Sequence, residues 1–208
     1  MRLKPPLDKI KITQYFGERP EVYKPSRGHM GVDFRTKYDD SKNGERPVYA
    51  AAPGRVEIGN QGNYGYGKFV KITHLDGSET IYGHLSSQNV KTGDWVIMQQ
   101  RIGISGSTGF SDAPHLHFGY RPYQFNKNNG FGGYVDPLLY MDSSISSPYF
   151  EQVRGESTIF VYDPSEDKMK GISSGKIFKM FFGDYQNILI NQVDKLSKPV
   201  SEKQITEQ

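Results

Sequence analysis

Between Ile10 and about Tyr140, glycine and proline break the chain into short runs that read as strands, and this punctuation constrains the fold more than any other feature. The intervals are short runs such as PVYAAA, GRVEIG, KFVKIT, ETIYGH and DWVIMQ, several with β-branched and aromatic residues at alternate positions. Turn signals separate them at Pro53-Gly54, Gly59-Asn60, Asp76-Gly77, Gly93-Asp94 and Gly106 to Gly109. Nowhere does a 3.6-residue apolar stripe persist over three turns, so the expected fold class is all-β with little helix. A length of 208 residues accommodates one full-sized core and a small addition.

The composition shifts after Asp142. The expected organisation is a main domain over 1–142, a Ser-rich linker over 143–150, a small β appendage over 151–196 and a polar tail over 197–208. Strand candidates in the appendage are STIFVYDP, GKIFKMFF and NILINQV. Within the main domain, three polar stretches read as surface connections: Lys37–Arg46, expected as an exposed insertion, Gln61–Gly67, whose Gly and Tyr suit a loop beside a cleft, and Asn126–Gly133.

Cysteine is absent, so any metal site must be built from imidazole and carboxylate. The 26 basic and 23 acidic residues leave a net charge of only +3, with no basic stripe or tail. Nucleic acid is therefore not an expected partner, whereas a mildly basic surface is compatible with an anionic cell wall. The start, MRLKPPLDKIKITQYFGERP, carries Lys and Pro where a secretory signal needs an apolar core, and no later stretch approaches about 18 apolar residues. Neither Sec export nor a membrane span is expected.

Five histidines carry the chemical possibilities: His29, His74, His84, His115 and His117. In His115-Leu116-His117, a strand would aim both imidazoles at one face, although such a pair is as readily a surface feature. His29 and Asp33, four apart, would share a face of an extended segment; alone, that pair reads more simply as structural. Together the two motifs supply two imidazoles and one carboxylate, a set that catalytic zinc accepts while keeping a position for water, with one histidine to spare. His84 follows a strand and His74 enters a turn, contexts in which a lone histidine is usually structural.

At this point the chain resembles a known family, the lysostaphin and LytM type zinc endopeptidases of bacterial cell walls. The resemblance rests on ITQYFGER, GHMGVDF, PVYAAAPGRV, VKITHLDGSETIYGHLS, VKTGDWV, IGISGSTGFSDAPHLHFGY and VDP, in that order from about Ile12 to Pro137. It implies the duplicated hybrid motif fold, a sandwich-like arrangement of antiparallel β-sheets with an open groove and one Zn²⁺ per chain on its floor. The implied zinc ligands are His29, Asp33 and His117, and the implied catalytic pair is His84 and His115. With no His-Glu-x-x-His motif to supply a glutamate base, the two remaining histidines are suited to take a proton from water and to support an oxyanion; a role limited to orienting the ligands is the plainer reading.

The resemblance further implies hydrolysis of peptide bonds in the stem peptides or cross-bridges of peptidoglycan, outside the cytoplasmic membrane. A virion, a lysis pore or another export route would bring the chain there, with phage deployment preferred and the C-terminal region as a candidate docking element. The competing reading is a non-catalytic wall-binding or structural module that keeps the fold. Three departures from the family pattern bear on loop shape and substrate choice: the long stretch between Asp33 and Pro47, Gly119-Tyr120 after HLHF, and Ser111 to Pro114 before it.

Overall fold

The computed structural model describes residues 2–143 throughout and, beyond them, the backbone of four strands at 150–153, 159–163, 168–172 and 190–193. The chain divides into two units, Met1–Ser143 and Ser144–Gln208. The first contains β1 (Ile12–Gln14), β2 (Val32–Arg35), β3 (Pro47–Tyr49), β4 (Gly54–Asn60), β5 (Lys68–His74), β6 (Glu79–Gln88), β7 (Trp95–Val96), β8 (Arg101–Ser105) and β9 (His115–Arg121). They pair in the order β1-β2-β9-β6-β5-β4-β7, with β8 joined to β6 and β3 to β8. Every ladder in this unit is antiparallel. Its described helical structure is confined to the 3-10 turns Lys42–Gly44 and Pro137–Tyr140, so the all-β expectation holds.

Alternation along the strands separates core from cleft. On β9, Leu116, Phe118 and Tyr120 are buried among apolar side chains, while His115 and His117 project from the opposite face. On β2, Val32 and Phe34 join the same core, and Asp33 and Arg35 face the cleft. The register sets Asp33 opposite His117 and Arg35 opposite His115, so residues from two distant motifs become cross-strand neighbours.

β6 departs from regular pairing where chemistry is expected. Tyr82 pairs with Val70 and Leu85 with Lys68, so three steps along β6 oppose two along β5. The extra residue is a β-bulge, and His84 within it has φ 61. Regular alternation from the buried Tyr82 would turn His84 toward the core; the left-handed backbone instead brings it to the cleft wall.

Two expectations change. DWVIMQ contributes only Trp95–Val96 to a strand, because Gln99 takes φ 64 and the amide of Gln100 donates to the Ile97 carbonyl, closing a turn. Lys37–Arg46 is not a free insertion either: Arg46 is buried and its guanidinium pairs with Asp8 and Asp40. Gly44 packs so closely on Pro114 that an added Cβ would lie 2.8 Å from the proline ring.

The second unit contains β10 (Phe150–Val153), β11 (Ile159–Asp163), β12 (Lys168–Ile172) and β13 (Ile190–Val193), ordered β12-β11-β10-β13. Its β10–β13 ladder is parallel and the other two are antiparallel. β11 and β13 fall within STIFVYDP and NILINQV, whereas GKIFKMFF, most of the 143–150 linker and the 197–208 tail lie outside the described residues.

Candidate metal and catalytic centre

Asp33 and His117 come from the facing strands β2 and β9, and His29 comes from the turn that leads into β2. This corrects the expectation of one extended segment from His29 to Asp33. The strand begins only at Val32, and Gly28, with φ 145, lies so close to the Gly17 carbonyl that an added Cβ would be 2.2 Å away. The turn is fixed from both sides, the His29 amide donating to the Glu18 carbonyl and the Gly17 amide to that of His29.

Three ligand atoms converge. His29 Nε2 lies 2.8 Å from His117 Nδ1, and Asp33 Oδ1 lies 3.1 Å from each. All three residues are buried. His29 Nδ1 lies 3.2 Å from the Tyr15 carbonyl; donation there fixes the tautomer and leaves the Nε2 lone pair aimed at the group. His117 turns its Nδ1 inward, and its buried Nε2 has no hydrogen-bond partner among the described residues. The Tyr66 ring, 5.1 Å away between centroids, covers His117. Two imidazole nitrogens and a carboxylate oxygen meeting this closely, with no further partner for the two nitrogens among the described residues, make a donor set suited to one divalent cation of the zinc type.

The electrostatics agree. Burial raises the Asp33 pKa, but hydrogen bonds with His117 and His29 and their charges outweigh it together, holding the carboxyl well below the usual range. Burial lowers the pKa of His117, so its neutral, ligating form is favoured.

His84 and His115 stand beside this group with ring centroids 4.6 Å apart. His84 Nδ1 is 2.7 Å from the Thr108 carbonyl and His115 Nδ1 is 2.8 Å from that of Ala113. Each ring therefore commits Nδ1–H to the backbone and keeps Nε2 for the cleft; His115 Nε2 lies 3.5 Å from Asp33 Oδ2. Burial, and next the neighbouring His115, lower the His84 pKa to about 4.

His74 stands apart, buried on β5, with Nδ1 2.8 Å from the Pro53 carbonyl and Nε2 3.0 Å from Thr80 Oγ1. The sequence did not single out the residues that hold the histidines: Tyr15, Thr108 and Ala113 act through backbone carbonyls, which side-chain identity does not reveal. Tyr66 was visible only as part of a Tyr- and Gly-containing loop.

All of these groups except His74 border or support a cleft of about 1280 Å³ that runs across β2 and β9. It is walled by Tyr64 and Tyr66 of the 61–67 loop on one side and by Tyr23 and Lys127 of two other loops.

Residues 27–136, just over half of the chain, match the model of peptidase family M23. The chain is 38% identical over 117 residues to lysostaphin of Staphylococcus simulans, covering 56% of this chain and 22% of that protein. It is 39% identical over 117 residues to the glycyl-glycine endopeptidase ALE-1 of Staphylococcus capitis, covering 56% of this chain and 30% of the relative. The chain thus spans less than a third of the length of these curated relatives. The crystal structure of the lysostaphin catalytic domain aligns with TM-score 0.52 and 35% identity over 63% of this chain and 91% of that domain. A zinc-containing peptidase from Vibrio cholerae aligns with TM-score 0.50 and 29% identity over 66% of this chain and 40% of the other. A family match spanning the His29, Asp33 and His117 motifs, on an all-β unit that aligns with solved peptidase domains, shows that the chain belongs to peptidase family M23.

Proposed function

We propose that this chain is a zinc-dependent endopeptidase that hydrolyses peptide bonds of bacterial peptidoglycan outside the cytoplasmic membrane. The observation that carries the proposal is the convergence of His29 Nε2, His117 Nδ1 and Asp33 Oδ1 within 2.8–3.1 Å of one another, at a cleft open enough for a polymer segment. These three residues would hold the metal. A zinc ion bound there supplies Lewis acidity and brings the pKa of a coordinated water toward about 7.

His84 and His115 are the proposed catalytic pair. With each Nδ1–H held by a carbonyl, each ring offers the Nε2 lone pair to the cleft, one to take the proton of the attacking water and the other, in its doubly protonated form, to donate to the oxygen that gains negative charge. Burial keeps His84 neutral near pH 7, the form that accepts a proton. Relatives named as lysostaphin and as a glycyl-glycine endopeptidase support a wall peptide as substrate. No helix among the described residues is long and apolar enough to cross a membrane.

Purified protein incubated with cell walls should release new amino termini, a chelator should stop the release and zinc should restore it. Protein carrying one zinc per chain that releases no termini from walls of several bridge types would overturn the hydrolase reading. Zinc stoichiometry near zero would favour a non-catalytic wall-binding module.

A further inference from the structure

The charge of the cleft is out of proportion to that of the chain. The sequence is nearly balanced, with 26 basic and 23 acidic residues, yet Arg19, Lys24, Arg35, Lys37 and Lys127 border the cleft. Among the described residues, the acidic ones that border it are Asp33, committed to the histidine group, and Asp112. None of the five cations forms an ion pair among the described residues, while Arg2, Lys9, Arg46, Lys71 and Arg121 elsewhere in the same unit each have a carboxylate partner.

The five cleft cations come from the segment before β2 (Arg19, Lys24), from the end of β2 and just beyond it (Arg35, Lys37) and from the segment after β9 (Lys127). Arg35 lies two residues beyond Asp33 on the same face of β2, about 7 Å along the strand. Lys24 and Lys127 come from segments joined where the Arg27 amide donates to the Gly130 carbonyl. Walls of low polarisability concentrate the field of such charges, and at physiological salt that field reaches about a Debye length of 8–10 Å.

We propose that the cleft selects an anionic peptide, with a free carboxylate about two residues from the scissile bond, over an uncharged oligoglycine. The inference rests on the peptidase reading and deepens it: the substrate class is a carboxylate-bearing wall stem peptide rather than a neutral cross-bridge.

Two fluorescent peptides of equal length test it, one of glycine alone and one with Glu two residues from a central Gly-Gly. Their binding to the zinc-loaded full chain is measured by anisotropy at about 50 and 300 mM salt, and cleavage is followed in parallel. The acidic peptide should bind at least about fivefold tighter at low salt, with the advantage shrinking at high salt. A Lys24→Gln/Lys127→Gln variant should lose most of that preference, and Lys24→Arg/Lys127→Arg should keep it. Equal binding of the two peptides, or a preference indifferent to salt and to Lys→Gln, overturns the proposal. Absence of cleavage with the binding preference intact overturns the peptidase reading instead.

Discussion

His29 Nε2 and His117 Nδ1, from residues 88 positions apart, face each other at 2.8 Å with Asp33 Oδ1 3.1 Å from both. Two imidazole lone pairs so close repel unless a proton or cation lies between them. A divalent ion should therefore stabilise the folded chain by mass action, by about 4 kcal/mol when free zinc is a thousandfold above its dissociation constant. Calorimetric melting with zinc and with excess chelator checks this; identical melting temperatures would rule out a site coupled to the fold.

Removing a ligand and removing a cleft histidine should have different signatures. His29→Ala, Asp33→Ala and His117→Ala should each weaken zinc binding. His84→Ala and His115→Ala should retain one zinc per chain and lower turnover by roughly two to four orders of magnitude, the usual size of lost acid–base assistance. Zinc retained by His117→Ala but lost by His115→Ala would exchange the roles of the two strand histidines.

A residue with no side chain is also predicted to matter. A Cβ on Gly31 would lie 2.7 Å from His117 Cε1, 2.8 Å from Nε2 and 2.5 Å from the Phe118 carbonyl oxygen. The ring edge of one candidate ligand thus occupies the space beside the backbone that carries the other two. Gly31→Ala should push His117 away and cost about 10- to 100-fold in zinc affinity, the range seen when groups supporting a metal ligand are altered. Competition against a chromophoric chelator measures it, and unchanged affinity would show that the ring can relax in place.

The legibility of these features in the sequence varied with the range of the interactions behind them. His115 and His117 were readable because two-residue alternation is a local property of strands, as was the all-β class from Gly and Pro punctuation. His29 and Asp33 do meet, but through a turn held by Tyr15, Gly17 and Glu18 rather than along one strand. The position of His84 was not readable, since its bulge exists only in the register of β6 against β5. Arg46 looked like the end of a solvated loop because its partner Asp8 lies 38 residues away.

His74 gives a pH prediction independent of the metal. Its burial lowers its pKa below the ordinary 6.5, and its ring is held neutral between the Pro53 carbonyl and Thr80 Oγ1. An unfolded chain takes up a proton at this histidine near pH 6.5, whereas the folded chain resists doing so until lower pH. The sign follows: stability is full above about pH 6.5 and declines as pH falls from there toward the folded pKa, by up to about 1.4 kcal/mol per pH unit for this one proton. His84 and His117, also depressed, act in the same direction, so the contribution of His74 is isolated by comparison with His74→Gln. With chelator present to remove any metal contribution, the melting temperature of the parent should fall more steeply between pH 7 and 5 than that of the variant. Parallel slopes would mean that His74 is protonated as easily in the folded chain as in the unfolded one.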